Sequence, residues 1–428
     1  MNMKTKYFFI IALLFLNFAV AQEVSTLTGS TSGFLDGTGT AALFNNPWGM
    51  VTDTDGNVFV ADELNHKIRK VTPAGVVTTF AGSTQGYQDG NGTSAKFYRP
   101  NGLAIDASGN IYVVDCYNHK IRKITPSGDV TTFVGSTQGY VNGNGTAARF
   151  NFPQGIAIDS AGNLFVVDGS NYAIRKVTPT ADVTVFAGAG SSGFNDGTGS
   201  GAKFNVIKAI AIDTATNDMY VTDGHRIRKI TSAAVVTAFA GATTNGLVNG
   251  TLSAARFNWP EGIAVDANGA IYIADTINCV IRKITAAGVV STLAGNTNGI
   301  AGSANGTGSA ASFYAPKGIC FDASRNIYIA DSHYGKIRKI EMSTLSVGDF
   351  NLTKIAIYPN PVMDVLKIDA EADIQNIQIM DVNGKEVFNQ KFSSKSIDIN
   401  CSSFDAGIYF LRTSSNDSSN KVYKIIKK

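Results

Sequence analysis

The chain has 428 residues and a formal net charge of +3, with 44% hydrophobic and 16% charged residues. This near balance, without a run of Lys or Arg that would form a polybasic arm, gives no electrostatic footprint for a phosphate backbone. We therefore expect no nucleic acid partner.

The first residues have the pattern of an export signal. Lys4 and Lys6 precede an apolar run from Tyr7 to Phe18, and Ala19-Val20-Ala21 is a small-x-small cleavage site. The run is too short to cross roughly 30 Å of hydrocarbon comfortably. We predict a signal peptide over 1–21, cleaved after Ala21, and no transmembrane segment in the mature chain.

A phrase of about fifty residues then occurs six times. Each copy has an inner strand, a second strand that ends in Asp, and an Ile-Arg-Lys strand. The repeated Asp residues are Asp62, Asp115, Asp168, Asp223, Asp275 and Asp331, and the Arg residues are Arg69, Arg122, Arg175, Arg228, Arg282 and Arg338. A repeat of short strands predicts a six-bladed β-propeller over 22–342. We interpret the Asp–Arg pair as structural because it occurs in all six copies, whereas a catalytic site occurs at one position in the protein.

The outer strands show how the ring closes. A Val-Thr-Thr-Phe-x-Gly-like strand ends copies one to five, beginning at Val76, Val130, Val183, Val235 and Val289. None follows Ile340 in the sixth copy, but a similar strand runs from Val24 to Gly29. We predict that strand 24–29 completes the sixth blade and leaves no open edge.

Each loop from an outer strand to the next inner strand carries an aromatic or apolar residue, Asp/Asn-Gly and then Phe. The Phe residues are Phe44, Phe97, Phe150, Phe204, Phe257 and Phe313. The loops could form stacking platforms for sugars or peptides, or each could hold a small core with turn residues that pins the loop. Sixfold recurrence favours the pinned loop.

The cysteines and histidines offer little chemistry. We expect four free thiols, because the spacing places Cys116 and Cys279 on opposite sides of the ring. The four histidines follow second strands, and three of them on alternate blades could form a metal site (His119, His225 and His333). We interpret them as polar loop residues and predict no cofactor.

The repeat resembles the NHL repeat. The segments Pro260 to Asp266, Ile271 to Asp275 and Ile281 to Ile284 are similar to it throughout, and the resemblance covers about residues 24 to 341. It implies an NHL-type six-bladed propeller. It decides little about function, because NHL propellers include binding scaffolds and a few enzymes.

The last 75 or so residues break the repeat. After a polar linker over 343–352, alternating strands with an Asn-Gly turn predict a small antiparallel β-sandwich over 353–428. Tyr358-Pro359-Asn360-Pro361, Asn383-Gly384-Lys385 and the Gly407 to Arg412 strand resemble the C-terminal sorting domain of the type IX secretion system of Bacteroidetes. The resemblance implies handling by that machinery and export through the periplasm. The product would be secreted or held at the outer-membrane surface, with the domain removed or used for attachment.

The residue after the first position of each inner strand departs from sixfold symmetry. In a related zinc lyase that amidates peptides, ligand histidines follow the Pro that opens inner strands, and none of the matching residues here is His. The six are Trp48, Asn101, Gln154, Lys208, Glu261 and Lys317. We predict that they ring the mouth of the central channel and bind a ligand there; a merely solvated mouth is the alternative.

These features favour an exported or cell-surface binding or scaffold module for a glycan, peptide or protein partner, which we expect to be a monomer. A metal-dependent hydrolase or lyase of the lactonase type is one alternative, although only Glu261 and Asn101 of the needed Glu, Asn and Asp ligands lie on the predicted ring. A purely structural envelope protein is the other. No nucleophile–base pair stands out, so no catalytic residue is assigned.

Overall fold

The structure is a computed structural model, and it describes residues 22–342, 355–382, 385–415 and 420–428. The predicted signal peptide lies outside the described residues, as does the predicted linker. The chain divides between Ser343 and Thr344 into two compact units.

The first unit is a propeller of six antiparallel sheets with five strands each, so the predicted fold class is confirmed. The first strand of the described residues, β1 (Glu23–Gly29), belongs to the last blade. Blade 1 contains β2 (Gly37–Thr38), β3 (Pro47–Thr52), β4 (Val58–Asp62), β5 (Lys67–Val71) and β6 (Val76–Ala81). Blade 2 contains β7 (Gly90–Asn91), β8 (Pro100–Ile105), β9 (Ile111–Asp115), β10 (Lys120–Ile124) and β11 (Asp129–Val134).

The remaining blades repeat this plan. Blade 3 contains β12 (Gly143–Asn144), β13 (Pro153–Ile158), β14 (Leu164–Asp168), β15 (Ala173–Val177) and β16 (Asp182–Ala187). Blade 4 contains β17 (Gly197–Thr198), β18 (Ile207–Ile212), β19 (Met219–Asp223), β20 (Arg226–Ile230) and β21 (Val235–Gly241). Blade 5 contains β22 (Gly250–Thr251), β23 (Gly262–Val265), β24 (Ile271–Asp275), β25 (Val280–Ile284) and β26 (Val289–Ala294). Blade 6 contains β27 (Gly306–Thr307), β28 (Pro316–Phe321), β29 (Ile327–Asp331) and β30 (Lys336–Ile340), and it is completed by β1.

The helical content of the described residues is limited to three-residue 3-10 segments. One follows the short strand of each blade, at Gly39–Ala41, Gly92–Ser94, Gly145–Ala147, Gly199–Gly201, Leu252–Ala254 and Gly308–Ala310. Four follow second strands, at Glu63–Asn65, Cys116–Asn118, Gly169–Asn171 and Ser332–Tyr334. The sequence predicts four strands in each blade, whereas the structure has five. The fifth is the two-residue strand. It forms because Gly37 and Thr38 run beside Val77 and Val76 of the outer strand.

The apolar core lies between neighbouring blades. Second strands such as β4 are buried along their whole length, as expected for a sheet covered on both faces. One cluster joins Phe59 and Ile68 of blade 1 to Leu103 and Val113 of blade 2. Blades therefore stabilise one another.

The repeated Asp–Arg pair is a buried structural centre in every blade. Arg69 is fully buried; its Nη1 donates to Asp62 (2.6 Å) and Leu43 O (3.0 Å), and its Nη2 donates to Leu35 O (2.9 Å) and Asp36 (2.6 Å). The other five Arg residues make the corresponding bonds to an Asp, two loop carbonyls and an Asp or Asn. The structural interpretation of the pairs is confirmed.

Aromatic rings enclose the same guanidinium groups. Arg69 Cζ lies 4.9 Å from the Phe34 ring and 5.0 Å from the Phe44 ring. Phe44 and its five counterparts are fully buried. The long loops are therefore pinned by a small core around each Arg, as the sixfold recurrence predicts.

The N-terminal strand lies between the third strand and the short strand of blade 6. Val24 pairs with Ile340 and Thr26 with Arg338, and Glu23 pairs with Thr307 on the other side. The first and last parts of the propeller are thus hydrogen-bonded to each other.

Glycines allow the inner strands to approach closely around the channel. A Cβ built on Gly102 would lie 2.6 Å from the backbone oxygen of Gln154, and one on Gly155 would lie 2.7 Å from that of Lys208. Such contacts are tighter than carbon and oxygen tolerate. The glycine in each Pro-x-Gly opening is therefore a packing requirement between blades.

The second unit is a single antiparallel sheet. Its strands are β31 (Ala356–Tyr358), β32 (Val365–Asp381), β33 (Glu386–Asn400), β34 (Gly407–Ser415) and β35 (Asn420–Lys427). The order is β31-β32-β34-β35, and β33 also pairs with β32. The pairing of β32 shifts register between Asp369 and Asn376. Leu366 before this point and Ile379 after it belong to one core cluster, so the two halves of the sheet share an apolar interior.

We predict that Gly102→Ala destabilises the propeller by about 1–3 kcal/mol, the usual cost of overpacking. A Cβ there would meet the backbone of the next blade. The measurement is thermal unfolding of the mature chain by circular dichroism. Gly201→Ala is the matched control, since a Cβ there would have no heavy atom within 4 Å. Equal melting of the two variants would contradict the packing requirement.

Deletion of Val24 to Gly29 should destabilise the whole propeller, because it exposes the edge of β30 and removes Val24 from the core between blades 5 and 6. Far-ultraviolet circular dichroism during heating measures the effect. If the shortened chain melts like its parent, the N-terminal strand does not stabilise the ring.

Candidate functional site: the channel mouth

The six asymmetric residues lie near the start of the inner strands. Pro47 at the start of β3 pairs with Asp62 at the end of β4, so the start of the inner strand and the loop after the second strand share one edge of the blade. Trp48, Lys208 and Glu261 line one cavity of about 70 Å³ with the channel glycines. We call this end of the channel the channel mouth.

Lys317 is the most connected residue of the channel mouth. Its Nζ lies 3.9 Å from the centroid of the Trp48 ring, 3.8 Å from Glu261 Oε2 and 3.1 Å from Asn46 Oδ1, to which it donates. Burial lowers the pKa of Lys317, and the carboxylates of Glu261 and Glu63 oppose that shift. The ammonium is therefore held by blades 1 and 5 as well as its own.

Glu63 is a channel-mouth residue that sequence reasoning missed. Its carboxylate accepts a hydrogen bond from Asn46 Nδ2 and lies 3.7 Å from Arg99 Nη1. Burial raises its pKa, while Lys317 and Arg99 act in the opposite direction. The residue directly after the repeated Asp is Glu only in blade 1. This break in sixfold symmetry is the sequence signal that marks Glu63.

At blades 2 and 3 the channel-mouth positions carry the neutral side chains of Asn101 and Gln154. The side-chain amides of Asn101 and Gln154 hydrogen-bond at 3.2 Å, and Gln154 Nε2 lies 3.9 Å from Cys116 Sγ. Burial raises the pKa of the Cys116 thiol to about 12, so the thiol stays protonated. A reactive cysteine needs a lowered pKa, and Cys116 is instead a packing residue.

Two charged groups at the mouth lack hydrogen-bond partners. The Lys208 side chain makes no hydrogen bond or ion pair with any described residue, and its Nζ lies 5.8 Å from the centroid of the Trp48 ring. Glu261 Oε2 is buried and has no hydrogen-bond partner, since 3.8 Å to Lys317 exceeds hydrogen-bonding distance. These groups come from adjacent blades 4 and 5.

Three family models match parts of the chain. Residues 44–71, 97–124 and 150–177 match the NHL repeat, 248–304 match the Teneurin NHL domain, and 356–428 match the secretion system C-terminal sorting domain. The chain is an NHL-repeat propeller with a type IX secretion sorting domain. The sorting domain indicates export to the cell surface or outside and handling by the secretion machinery. Among the described residues, no helix is long and apolar enough to span a membrane.

Three similar proteins place this NHL propeller among its relatives. Protein SUPPRESSOR OF QUENCHING 1 of Arabidopsis thaliana is 29% identical over 59% of this chain, which spans only 26% of that relative. A protein of unknown function from Bacteroides thetaiotaomicron superposes with a TM-score of 0.59 at 23% identity, covering 75% of this chain and 76% of that one. An auxiliary nutrient binding protein from the same organism gives 0.58 at 17% identity over the same shares. Both structural likenesses concern the fold.

The histidines of this NHL propeller connect neighbouring blades. The Nδ1 atoms of His66, His119 and His225 accept the backbone N–H of Arg99, Phe152 and Trp259 at 3.2, 3.2 and 3.3 Å. Each of these histidines therefore holds the loop before the next inner strand. The described residues contain no group of three or more His, Cys, Asp or Glu side chains placed to hold a metal ion.

We predict that His66, His119 and His225 titrate below the pKa of about 6.5 for free histidine. Burial lowers the pKa of each, and the charged ring cannot accept the backbone N–H at Nδ1. Their stabilising contribution is therefore complete above about pH 6.5 and is lost as the pH falls through the lowered pKa values. Ring-proton NMR shifts against pH measure this, and titration at or above the free value would contradict it.

Proposed function

We propose that this protein is a surface binding module and that its NHL propeller holds a polar ligand at the channel mouth. The observation that carries the proposal is the buried Glu261 Oε2, which has no hydrogen bond and only a 3.8 Å ion pair with Lys317, beside the half-buried Lys208, which has no hydrogen bond or ion pair with any described residue. Buried polar atoms without partners are uncommon in native proteins, because each one loses the hydrogen bonds of water. A ligand that supplies partners to both groups would remove that cost.

The charges define what such a ligand presents. Lys208 needs an acceptor such as a carboxylate or carbonyl oxygen, and Glu261 Oε2 needs a donor such as an ammonium or hydroxyl group. Trp48 lines the same cavity as both groups, and Lys317 covers one part of its indole ring. A glycan or a peptide that carries an acceptor and a donor on neighbouring groups fits this arrangement.

The remaining mouth residues give that pair a fixed frame. Glu63, Asn46 and Lys317 form a linked set across blades 1 and 6, and Asn101 bonds Gln154 across blades 2 and 3. Side chains held by one another lose little further freedom when a ligand binds, which favours affinity. Lys208 and Glu261 Oε2 are then the groups at the mouth that have hydrogen bonds left to make with a ligand.

The structural neighbours support a binding role by analogy of fold. One of them is described as an auxiliary nutrient binding protein, and its 17% identity concerns the fold. The hydrolase or lyase alternative has less support, since Lys317 stands between the Glu63 and Glu261 carboxylates and would compete with a cation there. No observation favours it over binding.

We predict that Lys208→Ala and Glu261→Gln each weaken ligand capture at least tenfold, which corresponds to about 1.4 kcal/mol. The experiment presents the immobilised mature chain to a glycan array and to a peptide library. It then measures the affinity of the best ligand for each variant. Lys70→Ala is the control, because Lys70 lies in the third strand of blade 1 and borders a groove away from the channel.

Unchanged affinity in both mouth variants would contradict the site. Absence of any captured glycan or peptide would contradict the binding role itself and favour a structural envelope protein. Loss of affinity in the Lys70→Ala control as well would indicate a general effect of charge rather than a site.

A further inference from the structure

Blade 4 departs from the other blades in the loop after its second strand. Four residues, Glu63–His66, join the second and third strands of blade 1, whereas only Gly224 and His225 join them in blade 4. The Asn65 amide that bonds Asp62 at 2.8 Å therefore has no counterpart at Asp223. Asp223 instead accepts the backbone N–H groups of Asn205 and Val206, at 2.8 and 3.0 Å.

The short loop leaves one cation without a hydrogen bond. Lys67, the counterpart of Arg226 in blade 1, donates to Asn65 O (3.2 Å) and Ser83 O (2.5 Å). The Arg226 side chain makes no hydrogen bond or ion pair within the part of the chain that the structure describes. Its guanidinium carbon lies 3.5 Å from the centroid of the Phe194 ring, as Lys67 Nζ lies 4.3 Å from that of Phe34. The Phe194 ring packs against the flat face of the Arg226 guanidinium, and the guanidinium N–H groups have no partner among the described residues.

A pocket of about 160 Å³ opens at this place. Phe194, Asn205, His225, Arg226 and Trp259 line it, and we call it the blade-4 pocket. The Trp259 side chain is 38% exposed, and its backbone N–H is held by His225 Nδ1. The pocket therefore combines two groups. One is the exposed indole ring of Trp259, whose backbone is held by His225. The other is the Arg226 guanidinium, whose N–H groups are free to donate hydrogen bonds.

We propose that the blade-4 pocket binds a carboxylate-bearing sugar residue, a uronic acid, of an acidic glycan. A stacked guanidinium presents two parallel N–H groups that match a carboxylate, and such pairs are stronger than neutral hydrogen bonds. The apolar face of a sugar ring packs on the exposed indole. An extended peptide is disfavoured, since Arg226 lies in β20, whose two edges are already paired with β19 and β21 and offer nothing for main-chain pairing.

This site is independent of the channel mouth. Its groups come from the start of β20 and from neighbouring loops of blades 4 and 5, and they share no residue with the cavity lined by Trp48, Lys208 and Glu261. Failure of one proposal therefore leaves the other standing.

The test measures binding of tetragalacturonate to the mature chain by calorimetry, with neutral tetragalactose and tetraglutamate as comparison ligands. We expect tetragalacturonate to bind, the other two to bind at least tenfold more weakly, and added salt to weaken the complex. Arg226→Ala should reduce the affinity at least tenfold, and Arg226→Lys should restore it only in part, because an ammonium lacks the paired edge. Melting temperature checks that both variants fold.

Matched controls locate the effect. Lys120→Ala removes the counterpart cation in blade 2, and Lys208→Ala removes the channel-mouth cation; both should leave tetragalacturonate binding unchanged. The proposal is overturned if tetragalacturonate does not bind, if tetragalactose or tetraglutamate binds equally well, or if Arg226→Ala binds like the parent. Loss of binding in Lys208→Ala alone would assign the acidic sugar to the channel mouth instead.

Discussion

The buried arginine of each repeat is the interaction on which the rest of the propeller depends. A guanidinium removed from water is tolerated only when it is paired and hydrogen-bonded. Arg69 meets that condition at Nη1 and Nη2, through Asp62, Asp36 and the oxygens of Leu35 and Leu43, while its buried Nε has no hydrogen-bond partner. Removing one partner from such a buried pair typically costs about 3–5 kcal/mol. The long loops are thus fixed by the same group that holds the strands together.

This constraint explains which residues are free to vary. The Asp, the Arg, the loop Asp or Asn and the enclosing Phe must recur because each blade solves the same burial problem. The channel glycines must recur wherever a Cβ would meet the next backbone. The residue between the Pro and Gly positions, which are Ile207 and Ala209 in blade 4, meets no such demand, so it differs in every blade except for the two lysines, Lys208 and Lys317.

The sequence predicted the blades well because the period of the repeat is local information. The Asp–Arg pairs and the pinned loops could be interpreted from sixfold recurrence alone. The contacts of Glu63 could not be read in this way, since they join separate blades: Asn46, which holds Glu63, accepts from Lys317, 271 positions along the chain. Blades 1 and 6 become neighbours only when the ring closes, and no local pattern encodes which side chains then meet.

The blade-4 pocket is a different case, because its signal was in the sequence. Asp223 and Arg228 are five residues apart, whereas Asp62 and Arg69 are seven apart. The spacing shows that the loop is shorter, but it does not show that a pocket forms there. The pocket depends on Trp259, which comes from the next repeat.

Blade 4 also lacks other parts of the repeat. Ile207 and Ala209 stand where the other blades have Pro and Gly, and Val206 lacks the left-handed backbone of Asn46 and its counterparts. Lys208 and Arg226, two cations without a hydrogen bond to any described residue, both belong to this blade, and Glu261 belongs to the next one. A repeat protein has six copies with which to stabilise the ring, so one copy can depart from the pattern while its neighbours keep it in place. Binding chemistry on this face is therefore expected where the scaffold pattern is weakest, at blade 4 and its border with blade 5.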